Sequence, residues 1–348
     1  MTKKYWHVFL FLLLFIVSFL FSYITNISAR NSIDGLGILK SFVILPILFA
    51  VGIFLLAQKK QISLYVLLTA FFASAVMQSF IGYAYTLQNY LTYDNRLGIF
   101  YESPNQFAMI LAPAILIGLY FLQCSARKKL ILKNYQKFLL LTGILSLLFS
   151  LYLTHSHGAW IALMISFAML ALIPVKRLRI AGILTLLILA TGSLIIFNLS
   201  SILGLFRYAP SVPATAIDSR ITIYTVSQKI SLKDWLLGIG PGNFQSKYLS
   251  VQPLFSPFPQ WAAPHAHNNI LHLFIEGGIG AMLSFAFLVF FFCCCKRTKK
   301  PCTGFFIVAV YLLLHGIVDT TLWRNDISVL WWLAFMLSGT VPFQIANR

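Results

Sequence analysis

Charge is what this chain has least of. Only 10% of its 348 residues are charged and just eight are acidic, where a soluble globular protein carries roughly a quarter charged residues. So small a supply cannot coat a water-facing surface, which excludes a pair of ordinary soluble domains. Cysteine is also scarce: Cys124, Cys293, Cys294, Cys295 and Cys302 are all there are. None falls in an expected outer loop, which excludes a disulfide framework or a CxxC metal pair there. No Gly-rich phosphate loop or Walker pattern occurs, which argues against an ATP-driven pump. Ionisable residues are nearly missing from the middle of the apolar runs. That counts against a proton- or ion-coupled transporter, which commonly keeps acids or arginines near the bilayer midplane.

Apolar residues fill the space. They make up 59% of the chain, and mean hydropathy is +0.84. Runs long enough to cross ~30 Å of hydrocarbon fall at roughly 6–27, 36–57, 62–82, 104–123, 138–154, 158–175, 180–200, 267–292, 303–319 and 328–345. The expected fold is an all-α polytopic transmembrane bundle of about ten spans, or twelve if some were merged. It forms a single integral membrane domain over 1–348. With the N-terminus inside, 17 of the 26 basic residues and none of the acids fall on the cytoplasmic face. That is the positive-inside pattern, with both termini cytoplasmic. The net charge of +18 is thus a topology signal and not a nucleic-acid footprint. The uncharged run from Tyr5 to Ala29 exceeds a signal-peptide core of ~7–15 residues, so it reads as a first helix.

Room for chemistry lies outside. Residues 83–103 form one polar outer loop and 201–266 a much longer one, broken by prolines and by Gly238, Gly240 and Gly242. The long loop is too small for a complete soluble enzyme, so a site must sit where it meets the outer helix ends. There, Pro264-His265-Ala266-His267-Asn268-Asn269 runs into Glu276-Gly277-Gly278-Ile279-Gly280-Ala281. His267 could exchange a proton near neutral pH. Asn268 could bond a ligand or cap the helix, and the small-residue run lets another helix approach closely. A boundary histidine can equally be structural, and an outer arginine such as Arg220 can simply hold a lipid headgroup. Trp160, Trp235, Trp261 and Trp323 suit an interfacial aromatic belt.

In order, Pro104-Asn105, Ser219-Arg220 ahead of a helix, the Gly-x-Gly-Pro-Gly-Asn-Phe turn at Gly238–Phe244, and His267-Asn268-x-x-Leu271 followed by Glu276-x-Gly278 resemble the O-antigen ligase / O-antigen polymerase superfamily of bacterial membrane glycosyltransferases. The resemblance covers roughly residues 100–290. Where the family often reads Ser-Arg-Gly, this chain has Ser156-His157-Gly158, so that arginine is replaced by His157 or supplied by Arg207. Ala281 stands where a last glycine is common. The resemblance implies a donor glycan on undecaprenyl pyrophosphate and, for a ligase, a sugar hydroxyl of the lipid A-core as acceptor. The setting would be the periplasmic face of the bacterial inner membrane, among membrane lipids and without nucleic acid. It makes His267 the general base and Arg220 the holder of the pyrophosphate. Arg207, His157, Asn268, Glu276, Asn105 and Asn243 would bind substrate, with no cofactor and no metal. His265, His267 and the i,i+4 pair His272/Glu276 offer metal ligands, but no Asp-rich pair accompanies them. A polymerase, a polysaccharide or lipid flippase and a non-catalytic scaffold stay open as alternatives.

Overall fold

The computed structural model describes residues 6–27, 32–101, 103–172, 180, 183–185, 187–188, 191–192, 216–255, 262–294 and 302–338. These form helices and their connections, with no strand among them. In chain order they are α1 (Trp6–Thr25), α2 (Ser32–Ile38), a π-helical segment (Leu39–Ile44) leading into α3 (Leu45–Gln58), α4 (Leu64–Leu87), α5 (Pro104–Ala126), α6 (Asn134–Leu153) and α7 (His157–Leu172). Then come α8 (Ala216–Lys233), α9 (Phe244–Val251) with a 3₁₀ turn (Gln252–Leu254), α10 (Asn269–Cys294), α11 (Thr303–His315) and α12 (Asn325–Leu337).

The chain is a multi-pass helical membrane protein. Six of these helical segments are long and apolar enough to cross a bilayer: α1, Gly35–Gln58, α4, α5, α6 and α10, of 20–26 residues each. At ~1.5 Å per residue they reach about 30–39 Å. Helices α7, α11 and α12 are apolar but only 16, 13 and 13 residues long. Helix α11 is shorter than the run 303–319 suggested, while the ends of the runs 158–175 and 328–345 lie outside the described residues. Helix α11 stops at His315, and the chain from Gly316 onward continues as a loop. The expected span at 180–200 falls largely outside the described residues, as do Arg207, Trp261 and Cys295.

The chain divides into two compact units. The first comprises Met1–Ile47, Ile183–Cys295 and Gly316–Asn325. Its axis is the pairing of α1 with α10. A Cβ added to Gly280 would lie 2.6 Å from Ser18 Oγ, and one on Gly277 2.9 Å from the Phe19 ring. The small-residue run therefore does what its composition suggests and lets α1 pack tightly. Phe19 in turn stacks on Trp323 with ring centroids 5.1 Å apart. Helix α8 leans on α9 and α10. Ile223, Tyr224, Val226 and Ile230 bury one side of it with Phe244, Tyr248, Leu271 and Ile275. This small core fastens the described part of the long loop to the head of α10.

The second unit comprises Leu48–Gly182, Lys296–His315 and Asp326–Arg348. Helix α5 is its centre, with 83% of its apolar window buried. Ser103 caps its N-terminus, accepting from Gln106 N at 3.3 Å, and Pro104 occupies the first turn, where a missing N–H costs nothing. Gly118 and Gly143 leave room for Phe72 and Ile144, bringing α4, α5 and α6 together. The loop before α5 is pinned by Arg96, which donates to Thr154 O and Asn105 Oδ1, both at 2.8 Å.

Candidate active site

The head of α10 is laced to the loop 316–324 by two successive asparagines. Asn268 Oδ1 accepts from Leu271 N at 2.8 Å, which caps the helix, while its Nδ2 donates to Ile317 O at 2.8 Å. Asn269 N donates to Gly316 O at 2.8 Å, its Nδ2 to Thr321 Oγ1 at 2.8 Å, and its Oδ1 accepts from Leu322 N at 3.1 Å. Four of these bonds bring a segment some fifty residues away in sequence onto the entrance of the helix. They deliver Asp319 to His267.

His267 lies just before α10, in the left-handed region at φ 48°. That conformation costs a side-chain-bearing residue about 1 kcal/mol or more, though histidine visits it more readily than most. Its Nδ1 is 3.2 Å from Asp319 Oδ1, and its backbone carbonyl accepts from the Tyr224 hydroxyl at 3.1 Å. The imidazole is 20% exposed and the carboxylate fully buried. Such an arrangement holds Nδ1 protonated and leaves Nε2 as the basic nitrogen.

Two more charged groups complete the cluster. Arg324 Nη2 lies 3.0 Å from His265 Nε2, and that nitrogen is 3.6 Å from Asp319 Oδ1. A guanidinium only donates, so His265 Nε2 must accept from it, and 3.6 Å is too long for a second bond to Asp319. His265 is therefore neutral. Burial lowers its pKa to about 3, the charges of His267 and Arg324 acting in the same direction and Asp319 against them. Burial alone would raise the Asp319 carboxyl. The adjoining His267 imidazole, which bonds it, and the nearby Arg324 guanidinium overcome it and hold the group well below the usual carboxylate range. His265, His267 and Asp319 are also of metal-ligand type, with donor atoms within 4.8 Å of one another. The nitrogen that His265 would offer a cation already faces a fixed positive charge, so the set suits a proton relay better than a metal.

Behind this cluster, the glycine turn and the Glu276 motif prove to be one construction. Helix α10 breaks at Gly278 (φ 68°, ψ −170°), a conformation open in practice only to glycine. The break frees backbone groups that the turn then pairs. Ile239 N donates to Ile275 O at 2.8 Å, Gly240 N to Glu276 O at 3.2 Å, and Ile279 N to Trp235 O at 3.0 Å. A Cβ on Gly238 would sit 2.6 Å from Gly278 N, so the two backbones meet with no side chain between them. The Glu276 carboxylate accepts from Gly242 N at 3.1 Å and Phe244 N at 3.2 Å. Ser22 on α1 joins in, donating to Glu276 O and accepting from Gly240 N.

Residues 141–286 match the family model described as O-antigen ligase. Over that segment, less than half of its length, the chain is similar to the O-antigen ligase family. No curated protein matches the chain. The matched segment runs from α6 into α10 and includes Arg220, the glycine turn, His267 and Glu276. Asp319 and Arg324, which complete the charge cluster, lie beyond it.

Against this family background, the residues singled out in the sequence fall into distinct settings. Arg220 is inside α8, which begins at Ala216, and not ahead of the helix as expected. It is partly exposed, one turn before Tyr224 on the same face. Asn268, Asn243 and Glu276 were expected to bind substrate, yet all are buried. Asn268 and Glu276 spend their polar atoms on backbone, and Asn243 Nδ2 donates to Ile239 O at 2.9 Å. Asn105 and the exposed His157 belong to the second unit, where Asn105 receives Arg96. His272 is not a counterpart of His267 across a helix face, because His267 precedes the helix. It is sealed against Phe244 and Trp323, ring centroids 5.4 and 5.1 Å away, and its Nδ1 faces Ala266 N at 3.4 Å. His265 sits in the charge cluster, between Arg324 and Asp319. Asp319, Arg324, Tyr224 and Arg96 were missed. The one available signal was scarcity: with eight acids in the chain, an aspartate between apolar helices merits scrutiny.

Proposed function

We propose that the protein is an O-antigen ligase. It transfers a glycan from undecaprenyl pyrophosphate to a sugar hydroxyl of the lipid A-core, at the periplasmic face of the bacterial inner membrane. The observation that carries this reading is the His267–Asp319 pair at the head of α10, on the backbone that Tyr224 ties to the helix bearing Arg220. His267 Nε2 takes the proton from the acceptor hydroxyl as that oxygen attacks the anomeric carbon. The bond from that carbon to the pyrophosphate breaks in the same displacement, inverting the configuration. Asp319 holds the imidazole's tautomer and balances the imidazolium that forms. Arg220 presents two parallel donors to the departing pyrophosphate, whose charge must be met for it to leave. A base so placed contributes ~10²–10⁴-fold in rate. Glu276, Asn243 and Asn268 frame the site through backbone. Asn105 and His157 are candidate glycan contacts on the second unit's own surface, and Arg207, outside the described residues, is a candidate second phosphate ligand. The positive-inside distribution supports cytoplasmic termini and an outward site. No step requires a metal.

Deletion of the gene followed by lipopolysaccharide gel analysis tests the assignment. A ligase leaves bare core and accumulates full-length lipid-linked glycan. Core capped with a single repeat would make the protein the polymerase. An unchanged ladder would end both readings.

A further inference from the structure

His267 has an unusual mounting. It is outside α10, so no helical hydrogen bond holds its backbone, and its φ of 48° is one the chain adopts only when held there. Asp319 grips the ring at Nδ1 but leaves the main chain alone. The asparagine lacing begins one residue later, at Asn268. What touches the main chain of His267 is the Tyr224 hydroxyl, donating to its carbonyl at 3.1 Å. Tyr224 is buried in the small core under α8, its ring packed among apolar neighbours. Burial and the Asp319 charge push its hydroxyl up to about 12 against the pull of Arg220, so it stays a protonated donor throughout the physiological range. Arg220 stands one turn away on the same helix face.

We propose that Tyr224 is a positioning residue for glycan transfer: its hydroxyl fixes the left-handed backbone of His267 and so registers the base against the helix that carries Arg220. This rests on the assignment of His267 as base. An error of a fraction of an ångström at a general base is felt in the chemical step, while donor affinity depends on Arg220, which the hydroxyl does not touch. A purely structural tyrosine here would need only its ring.

Tyr224→Phe separates the two, because it keeps the ring and removes the hydroxyl. In purified protein with lipid-linked donor and core acceptor, kcat should fall about fivefold or more, as expected for one lost hydrogen bond to a buried carbonyl. KM for the donor and the melting temperature should stay near wild type. Incorporating para-aminophenylalanine at 224, which restores an N–H donor, should recover most of the loss. An unchanged kcat in Tyr224→Phe, a loss confined to KM, or no recovery with the amino analogue would overturn the proposal. Wild-type protein and His267→Ala in the same assay keep its failure apart from that of the functional reading. No transfer by wild type, or full transfer by His267→Ala, overturns the functional reading and the proposal with it, whereas a normal wild type, a dead His267→Ala and an unchanged Tyr224→Phe overturn the proposal alone.

Discussion

Replacing Asp319 with asparagine is the sharpest perturbation of the site, because it changes one atom and one charge. The carboxylate is fully buried, 3.2 Å from His267 Nδ1, and also accepts from its neighbour Thr320 N at 2.7 Å. Both contacts reach the same oxygen, Oδ1, so an amide keeps them only by burying its NH₂ where Oδ2 now has no hydrogen-bond partner; turned the other way, it offers His267 an N–H and favours the wrong tautomer, with the proton on Nε2. In a Ser-His-Asp triad the same exchange costs ~10⁴-fold in kcat. The ring of His267 is partly open to solvent and freer to readjust, so we expect a loss of ~10²–10³-fold, within the range of a positioned base. Stability needs a separate account, since Arg324 then keeps its buried charge without Asp319. Removing one member of a contacting buried pair costs ~3–5 kcal/mol. Here Arg324 reaches Asp319 through His265, so that figure is an upper bound. Asp319→Asn combined with Arg324→Gln should recover the melting temperature but not kcat. The assay is initial-rate transfer in lipid nanodiscs with a defined lipid-linked donor, normalised to folded protein. Asp319→Asn with kcat within threefold of wild type would refute the relay, whatever its stability.

Arg220→Lys keeps the charge and loses the planar fork, so most transfer activity should vanish while membrane levels stay normal; immunoblots beside the transfer assay decide it, and full activity in Arg220→Ala would reduce this residue to a lipid contact. Gly278→Ala should not accumulate as folded protein, since a Cβ there would collide with Leu236 O and the backbone strain adds ~1–3 kcal/mol, whereas Gly37→Ala, with open space around it, should behave as wild type in size-exclusion chromatography. His265 is neutral in the folded protein down to about pH 3 but ~6.5 is its unfolded value, so the unfolded chain binds the extra proton between these and stability falls as pH drops through that window; His265→Gln should flatten the slope of melting temperature against pH, and an identical slope would show that the cluster does not hold this histidine neutral.

The contrast between what could and could not be read from the chain is physical. Long apolar runs declare themselves, because a bilayer demands length and hydrophobicity from one continuous segment, and α1, α4, α5, α6 and α10 appear where those runs lie. Helix α11 was overextended because Ile317 and Val318 keep the run apolar past its last turn at His315. The run ending at residue 319 absorbed Asp319 as a helix end, although α11 stops at His315. His267, Arg220 and Glu276 could be picked out because their neighbours form recognisable patterns. The partners of His267 could not, because they arrive through the lacing of Asn268 and Asn269, whose targets are mainly backbone atoms that leave no mark in sequence. The pairing of Gly238 with Gly278 was hidden for the same reason: each glycine looks like an ordinary turn or packing residue until the two backbones are seen to touch.

The seam between the glycine turn and the broken helix has a consequence for redesign. Its main-chain bonds are supplemented by only a few side chains, Glu276, Ser22 and Asn243 among them, so other side chains along it can be varied. Leu236 and Leu237, for instance, are both exposed although their backbones abut Gly278. A mutational library confined to such positions could vary the surface around the break in α10 while leaving the stitching intact. Acceptor preference could then be selected for without first repairing the fold.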